Sequence, residues 1–226
     1  MNVTEAVETR RSVRAFTDQP VDPAVLRRVL DKAALSPSGG NTQPWSAVIV
    51  TGDALADITA KIKEKVQSAP MGEDMEYAIY PEGLDGRYEE QRRAIGKAMF
   101  HSIGLERGDA AGRIAQMGKN WDSFGAPVQL FTYTRKYMGP PQWSDMGMWL
   151  QTVMLLLGEE GLDSCAQEIW AMYGTYMRQL LDIDDEHIFF CGMAIGHRDE
   201  SDPINNFERP RTPVNDTVRW VGFDAA

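Results

Sequence analysis

Hydrophobic positions change period several times along the chain, and each change marks an element. Val25, Leu26, Val29, Leu30 and Ala33 recur at helical spacing, with Arg27, Arg28 and Asp31 turned the other way. Asp22-Pro23 just ahead supplies an N-cap and a proline at the first helical position. The Ser36-Pro37-Ser38-Gly39-Gly40 cluster ends that helix. Residues 3–9 read as a shorter helix before it. Residues 45–51, WSAVIVT, form an apolar β-branched run that reads as a buried strand. A helical pattern covers 53–68, and another returns over 88–121. Between them, 69–87 is rich in Pro, Gly, Asp and Tyr and reads as a flexible lid.

Residues 128–134, VQLFTYT, read as a second strand. Residues 146–157 are apolar nearly all round, which predicts a central buried helix ended by Gly158 or Gly161. A helix over 174–182 and a third strong strand over 187–195, HIFFCGMAI, complete the pattern. Helices outnumber strands and alternate with them, which points to α+β or α/β layering. No repeat and no long linker divides the chain, so residues 1–226 read as one domain. The stretch 202–226 differs: three prolines accompany Ile204, Phe207, Val218, Trp220 and Phe223. An extended arm with so many apolar groups needs a surface, either a partner subunit or the body of its own chain.

Composition then narrows the function. The formal charge is −10, from 33 acidic and 23 basic residues, which argues against a phosphate-tracking nucleic-acid surface. No apolar run is long enough to span a bilayer, and the N-terminal residues carry no apolar signal core. Cys165 and Cys191 make no disulfide framework and no metal spacing, so a reducing, cytoplasmic compartment is expected. No metal is expected: His101, His187 and His197 read as structural, and the methionines as core filler. The acidic run 182–186 lacks calcium-loop spacing and reads as solvated.

Against that acidic average, Arg10, Arg11 and Arg14 stand together around Ser12, and Arg209-Pro210-Arg211 lies near the other end. In an extended segment Arg10, Ser12 and Arg14 would share one face, with Arg11 and Val13 on the other. Two guanidiniums and a hydroxyl suit a phosphate or a similar anion. The alternative is that these arginines close a helix C-terminus and pair with surface acids. In SPSGGNTQPW, residues 36–45, small residues let a flat ligand approach the backbone, and Ser38, Asn41 and Gln43 offer donors and acceptors.

RRSVRAF followed by SPSGGNTQPW, so near the N-terminus, resembles the FMN-dependent nitroreductase family. The resemblance continues through GLDSCAQE at 161–168, the strand into Gly192 and Gly196-His197, and the terminal Arg209-Pro210-Arg211, so it spans essentially the whole chain. It implies a nitroreductase-like fold with a central, mainly antiparallel sheet flanked by helices, a lid or insertion over about 69–121, and a C-terminal arm reaching onto a partner subunit. It also implies a homodimer with FMN at the interface. Arg10, Arg11 and Ser12, with Arg209 and Arg211, would hold the phosphate and ribityl end. Arg14 would approach the N1–C2=O edge, where a fixed cation stabilises the anionic reduced flavin. Pro37, Ser38, Gly39, Asn41 and Gln142 would reach the flavin of the other subunit. Ala166, Gln167 and Glu168 would pass along one flavin face, with the Glu168 backbone near N5. Position 166 departs from the proline frequent in the family. Cys165, in the same stretch, reads as a buried small side chain rather than a redox group.

The absence of a Ser/His/Asp, Cys/His or paired-carboxylate arrangement suits an enzyme whose cofactor performs the hard step. The resemblance implies ping-pong chemistry, with NADPH or NADH delivering hydride to N5 and a small electron-poor acceptor (a nitroaromatic, quinone or similar conjugated electrophile) then taking its place. Tyr77, Tyr80, Tyr88, Phe100, Trp121 and Phe124 are candidates to line the acceptor site, with at least half expected in the core. Two alternatives stand. A dehalogenase of halophenol or halotyrosine type would need a Glu, Tyr and Lys constellation, for which Glu76 and Tyr80, with Lys97 or Lys119, are the candidates. A flavin-binding sensor would not turn over.

Overall fold

The structure is a computed structural model that describes residues 1–73 and 75–223. Asp74 of the expected lid and the last three residues of the expected arm lie outside the described residues. Four strands form one antiparallel sheet in the order β1-β2-β4-β3: β1 Ser46–Thr51, β2 Val128–Arg135, β3 Asp163–Gln167 and β4 His187–Gly196. Among the described residues seven α-helices accompany it: α1 Val3–Thr9, α2 Pro23–Ala33, α3 Gly52–Ser68, α4 Gly86–Ser102, α5 Ala110–Gly118, α6 Pro140–Glu159 and α7 Gly174–Leu180.

Period-2 alternation sends the two faces of β2 into different cores. Val128 and Leu130 pack with Met193 and Ile195 of β4 against α2 and α6, through Leu26, Val29, Trp149 and Val153. Phe131 packs the other way, with Phe189, Trp170 and Tyr173, against Ile58 and Ile62 of α3 and Met177 of α7. The α2 start follows its sequence: the Asp22 side chain accepts from the Ala24 N–H, and Pro23 opens the helix. Gly161, at φ +76°, stands where the chain turns after α6, whereas Gly158 lies inside the helix.

Several expectations need correction. The run 45–51 does not make a buried strand: β1 is a sheet edge, with only Val50 of its six residues buried. The pattern over 88–121 divides into α4 and α5, because Gly104 takes a left-handed φ of +72° between them. The apolar helix buries one stripe, from Met146 to Leu157, and leaves Met148 exposed. Strand β3 has no counterpart among the strands expected from sequence, since DSCAQ is too short and polar to announce one.

The base of the expected lid is fastened rather than loose. The Tyr173 hydroxyl donates to the Ala69 carbonyl at 2.7 Å, and the Glu73 N–H to the Met172 carbonyl at 2.8 Å. Gly72, at φ +88°, sits so close to Met172 that a Cβ there would meet its carbonyl oxygen at 2.9 Å. Glu76 pairs at 3.3 Å with Arg178, a buried guanidinium that also binds Asp185 at 2.8 Å. The acidic run 182–186 is therefore partly engaged in structure, not simply solvated; Asp184 also meets His187 at 2.6 Å. In the arm, Thr212 and Asp216 accept hydrogen bonds from Gln91 and Arg87 of α4, while Trp220 and Phe223 stay exposed.

Candidate functional site

Strand β3 is the other edge of the sheet, and the N-terminal segment covers it. Ser12 bridges Ser164 in parallel, and the Val13 N–H donates to the Ser164 carbonyl at 3.1 Å while its side chain is fully buried. Further along, the Thr17 N–H reaches the His197 carbonyl at 2.9 Å, and the Asp199 N–H reaches that of Ala15 at 3.0 Å. The two ends of the chain thus run side by side. The Arg198 guanidinium is consumed there by Asp163, through two bonds of 2.8 and 2.9 Å.

Next to this seam lies a cavity of about 90 Å³, lined by Arg10, Arg11, Ser12, Arg14, Ile95, Asn205, Phe207, Arg209 and Arg211. The sequence placed Arg11 opposite Arg10 and Arg14, yet it lines the same cavity. Residues 10–14 form no regular ladder, only the single bridge at Ser12, so strict alternation does not apply. Four of these arginines donate to carbonyl oxygen. Arg11 donates to the Asn205 carbonyl, and Arg209 to those of Arg10 and Glu8. Arg14 donates to Ser12 at 3.2 Å and Arg211 to Pro210 at 3.0 Å. Among the described residues none of the five pairs with a carboxylate, although Arg198 nearby does. The reading in which they pair with surface acids is not what the fold adopts.

The electrostatic consequence is a concentrated positive field. Burial, and then Arg211, lower the Arg10 value, and burial with Arg11, Arg10, Arg211 and Arg198 lowers that of Arg209. Five guanidiniums without a carboxylate partner among the described residues concentrate positive charge in a chain of charge −10, an arrangement chemically suited to an anion. Sites that enclose a whole small ligand run to roughly 300–1,000 Å³. This cavity is sized for an anionic head group, so the remainder of a larger ligand would lie outside it.

Ala166 and Gln167 end the strand that Ser12 touches, and Glu168 follows it directly. Gln167 turns its amide inward, accepting from Gln129 at 3.1 Å and donating to the Asn120 carbonyl at 3.0 Å. Only its backbone is left to face a ligand, whereas Glu168 is exposed. The Cys165 thiol is buried and its value raised, despite the lowering influence of Arg14 and Arg10. Burial pushes the Cys191 thiol up to about 12. Both read as packed side chains.

The other expected site residues are not brought to this cavity within one chain. Pro37, Ser38, Gly39 and Asn41 form a tight loop, with Gly40 and Asn41 at φ +60° and +56°. That loop is held to α6 by the Gly39 N–H, 3.1 Å from the Asp145 carboxylate, and internally by the Gln43 N–H donating to the Ser38 hydroxyl. Gln142 accepts from the Gly139 N–H at 3.1 Å and so caps the start of α6. Of the aromatic candidates, Phe100, Trp121 and Phe124 are core residues, Tyr77 is partly buried, and Tyr80 and Tyr88 are exposed.

Sequence reasoning missed Asn205, Phe207 and Ile95. Asn205 is buried, with Oδ1 accepting from the Arg14 N–H at 2.8 Å and Nδ2 donating to the Ala15 and Asp199 carbonyls at 2.8 and 2.9 Å. The one local signal was Asp202-Pro203, which caps and opens the short turn that carries it.

Comparison with known proteins is consistent across sequence and structure. The Nitroreductase family model matches residues 7–197. A 4-nitrobenzoate reductase of Pseudomonas putida is 32% identical over 218 residues, covering 96% of this chain and 95% of that protein. The crystal structure of the FMN and NADPH-dependent nitroreductase NfnB from Sphigopyxis sp. strain HMH is 48% identical and superposes with a TM-score of 0.97, over 99% of this chain and 100% of that one. The FMN-dependent NfnB of Mycobacterium smegmatis, solved in complex with NADPH, is 25% identical with a TM-score of 0.90, over 97% and 100%.

Proposed function

The chain belongs to the nitroreductase family, and on that premise we propose that it is an FMN-dependent oxidoreductase that uses NADPH or NADH to reduce nitroaromatics and related electron-poor acceptors such as quinones, in a ping-pong sequence. The observation that carries this reading is the set of five guanidiniums around one small cavity with no carboxylate partner among the described residues.

The residues fit the cofactor. FMN ends in a phosphate, and Arg10, Arg11, Ser12, Arg209 and Arg211 present the donors and charge such a group requires. Arg14, on the same wall, would hold the pyrimidine edge of the ring, and the Ala166–Glu168 backbone would face the ring from β3. Pro37, Ser38, Gly39, Asn41 and Gln142 stand apart from the cavity in one chain, which suits a homodimer in which they serve the partner's flavin. The exposed Trp220 and Phe223 of the arm supply apolar surface for the same association. When bound, FMN supplies reversible two-electron chemistry between nucleotide and acceptor. The chain's task is to bind it, bias its charge and shape the acceptor space. The two buried, free thiols suit a cytoplasmic setting.

The dehalogenase alternative has less support, because Oε1 of its proposed carboxylate, Glu76, pairs with Arg178 and, at 3.5 Å, with Lys136. Tyr80 instead lies under Arg92, 5.4 Å from its ring centre.

Purified protein should bind added FMN and show its absorption spectrum. Under anaerobic conditions NADPH or NADH should then bleach that flavin, and 4-nitrobenzoate should restore it. Flavin that neither nucleotide reduces would leave the sensor reading standing instead. Sedimentation as a dimer is the matching expectation for assembly.

A further inference from the structure

Asn205 is the one neutral side chain in the cavity wall whose every polar atom is committed. Its Oδ1 accepts from the Arg14 backbone N–H at 2.8 Å, and its Nδ2 donates to the carbonyls of Ala15 and Asp199. Its own carbonyl accepts from the Arg11 guanidinium. The amide orientation follows from its partners, since an N–H must face the oxygen and two carbonyls must face the NH2. The residue is about 1% exposed, so water does not compete for these bonds.

We infer that Asn205 is the positioning residue of the cofactor site: its buried side-chain amide fixes the backbone of Arg14, and its main-chain carbonyl, held in place with it, receives the guanidinium of Arg11. The inference rests on the flavin reading above. Like charges in a confined space repel: the Arg10 and Arg209 values are lowered first by burial and then by the neighbouring guanidiniums. Without a neutral clamp the arginine segment would relax away from the other cations. A carboxylate at position 205 would place negative charge beside the guanidiniums and would have no N–H for the Ala15 and Asp199 carbonyls. The neutral amide meets both carbonyls and leaves the positive charge of the cavity intact. Its short side chain also spans the seam between segments about 190 positions apart in sequence, which aligns the Arg14 side of the cavity with the Arg209 side.

The test uses full-length protein loaded with FMN and reads the dissociation constant by flavin fluorescence and the flavin midpoint potential by anaerobic titration. Asn205→Ala should weaken FMN binding about ten- to a hundredfold, the range expected when buried partners of a polar group are left unmet. It should also move the potential to more negative values, because Arg14 no longer holds its cation in place. Val29→Ala, a core truncation in α2 away from the cavity, should lower the melting temperature and leave both readouts alone. Asn205→Ser, which keeps a short polar side chain, is the second variant should alanine prevent folding. It too should weaken FMN, because a hydroxyl cannot meet the Arg14 N–H and both carbonyls at once. An Asn205 variant that folds and binds FMN with wild-type affinity and potential overturns the inference while the flavin reading stands. Wild-type protein that takes up no FMN overturns both.

Discussion

The Tyr77 hydroxyl donates to the carbonyl of Phe190. That carbonyl belongs to the extra residue of a bulge: β2 pairs Thr132 with Cys191 and Tyr133 with Phe189, so Phe190 has no partner opposite. Tyr77 satisfies it from the segment between α3 and α4, and its ring packs edge-on to Trp143 with centroids 5.0 Å apart. Irregularity in the sheet thus becomes an anchor for the base of the expected lid. Burial raises the Tyr77 value, so the phenol keeps its proton and stays a donor at neutral pH.

Tyr77→Phe leaves that carbonyl unmet in a partly buried place and should cost about 1–2 kcal/mol of stability. Hydrogen exchange should quicken over residues 69–80 more than elsewhere. Exchange unchanged in that segment would show that Tyr77 does not anchor it.

Arg178→Met should cost roughly 3 kcal/mol, the lower end for breaking a buried pair by removing one partner. The lower end applies because Lys136 remains 3.5 Å from Glu76. Adding Glu76→Gln to Arg178→Met should recover part of the loss in urea denaturation, since the stranded charge is gone. Strictly additive losses would mean that the 3.3 Å contact between Glu76 and Arg178 carries no coupling.

Arg211→Ala should act in opposite directions on the empty and loaded protein. Arg211 bonds only nearby carbonyls and adds to the charge crowding Arg10 and Arg209. Flavin-free protein should therefore melt no lower than wild type. FMN affinity should fall about ten- to a hundredfold, in keeping with roughly 1.5–3 kcal/mol for a hydrogen bond to a charged group. A lower melting temperature with unchanged affinity would make Arg211 structural.

The thiols give a pH dependence. Burial raises Cys165 from its ordinary value and takes Cys191 from 9.0 to about 12. The folded state therefore keeps protons that the unfolded state releases as the pH passes about 9. The stabilisation is complete below that value and is lost progressively as the pH climbs toward about 12. Urea midpoints should fall from pH 8 to pH 10, less so in Cys191→Ala. A thiol reagent at pH 8 should label neither cysteine until the protein unfolds, and rapid labelling of native protein would count against this burial.

Local pattern carried much of the fold. Helical spacing with Asp22-Pro23 located α2, and the apolar β-branched runs located β1, β2 and β4, because these elements follow from side-chain period and capping along a continuous stretch. The same local logic found Arg10, Arg11, Arg14, Arg209 and Arg211 as charge exceptions in an acidic chain. It had no means of seeing that Ser12 bridges Ser164, that Arg11 turns to the same cavity, or that Asn205 fastens the two ends together. Nor could it show that a region rich in Pro and Gly is pinned by Tyr77 and Glu76. Those facts depend on pairings between residues up to about 190 positions apart, and no periodicity within a segment specifies which distant segment will complete its hydrogen bonds. Sequence marked the charges; pairing of the N-terminal segment with β3 and with the C-terminal segment gathered them around one cavity.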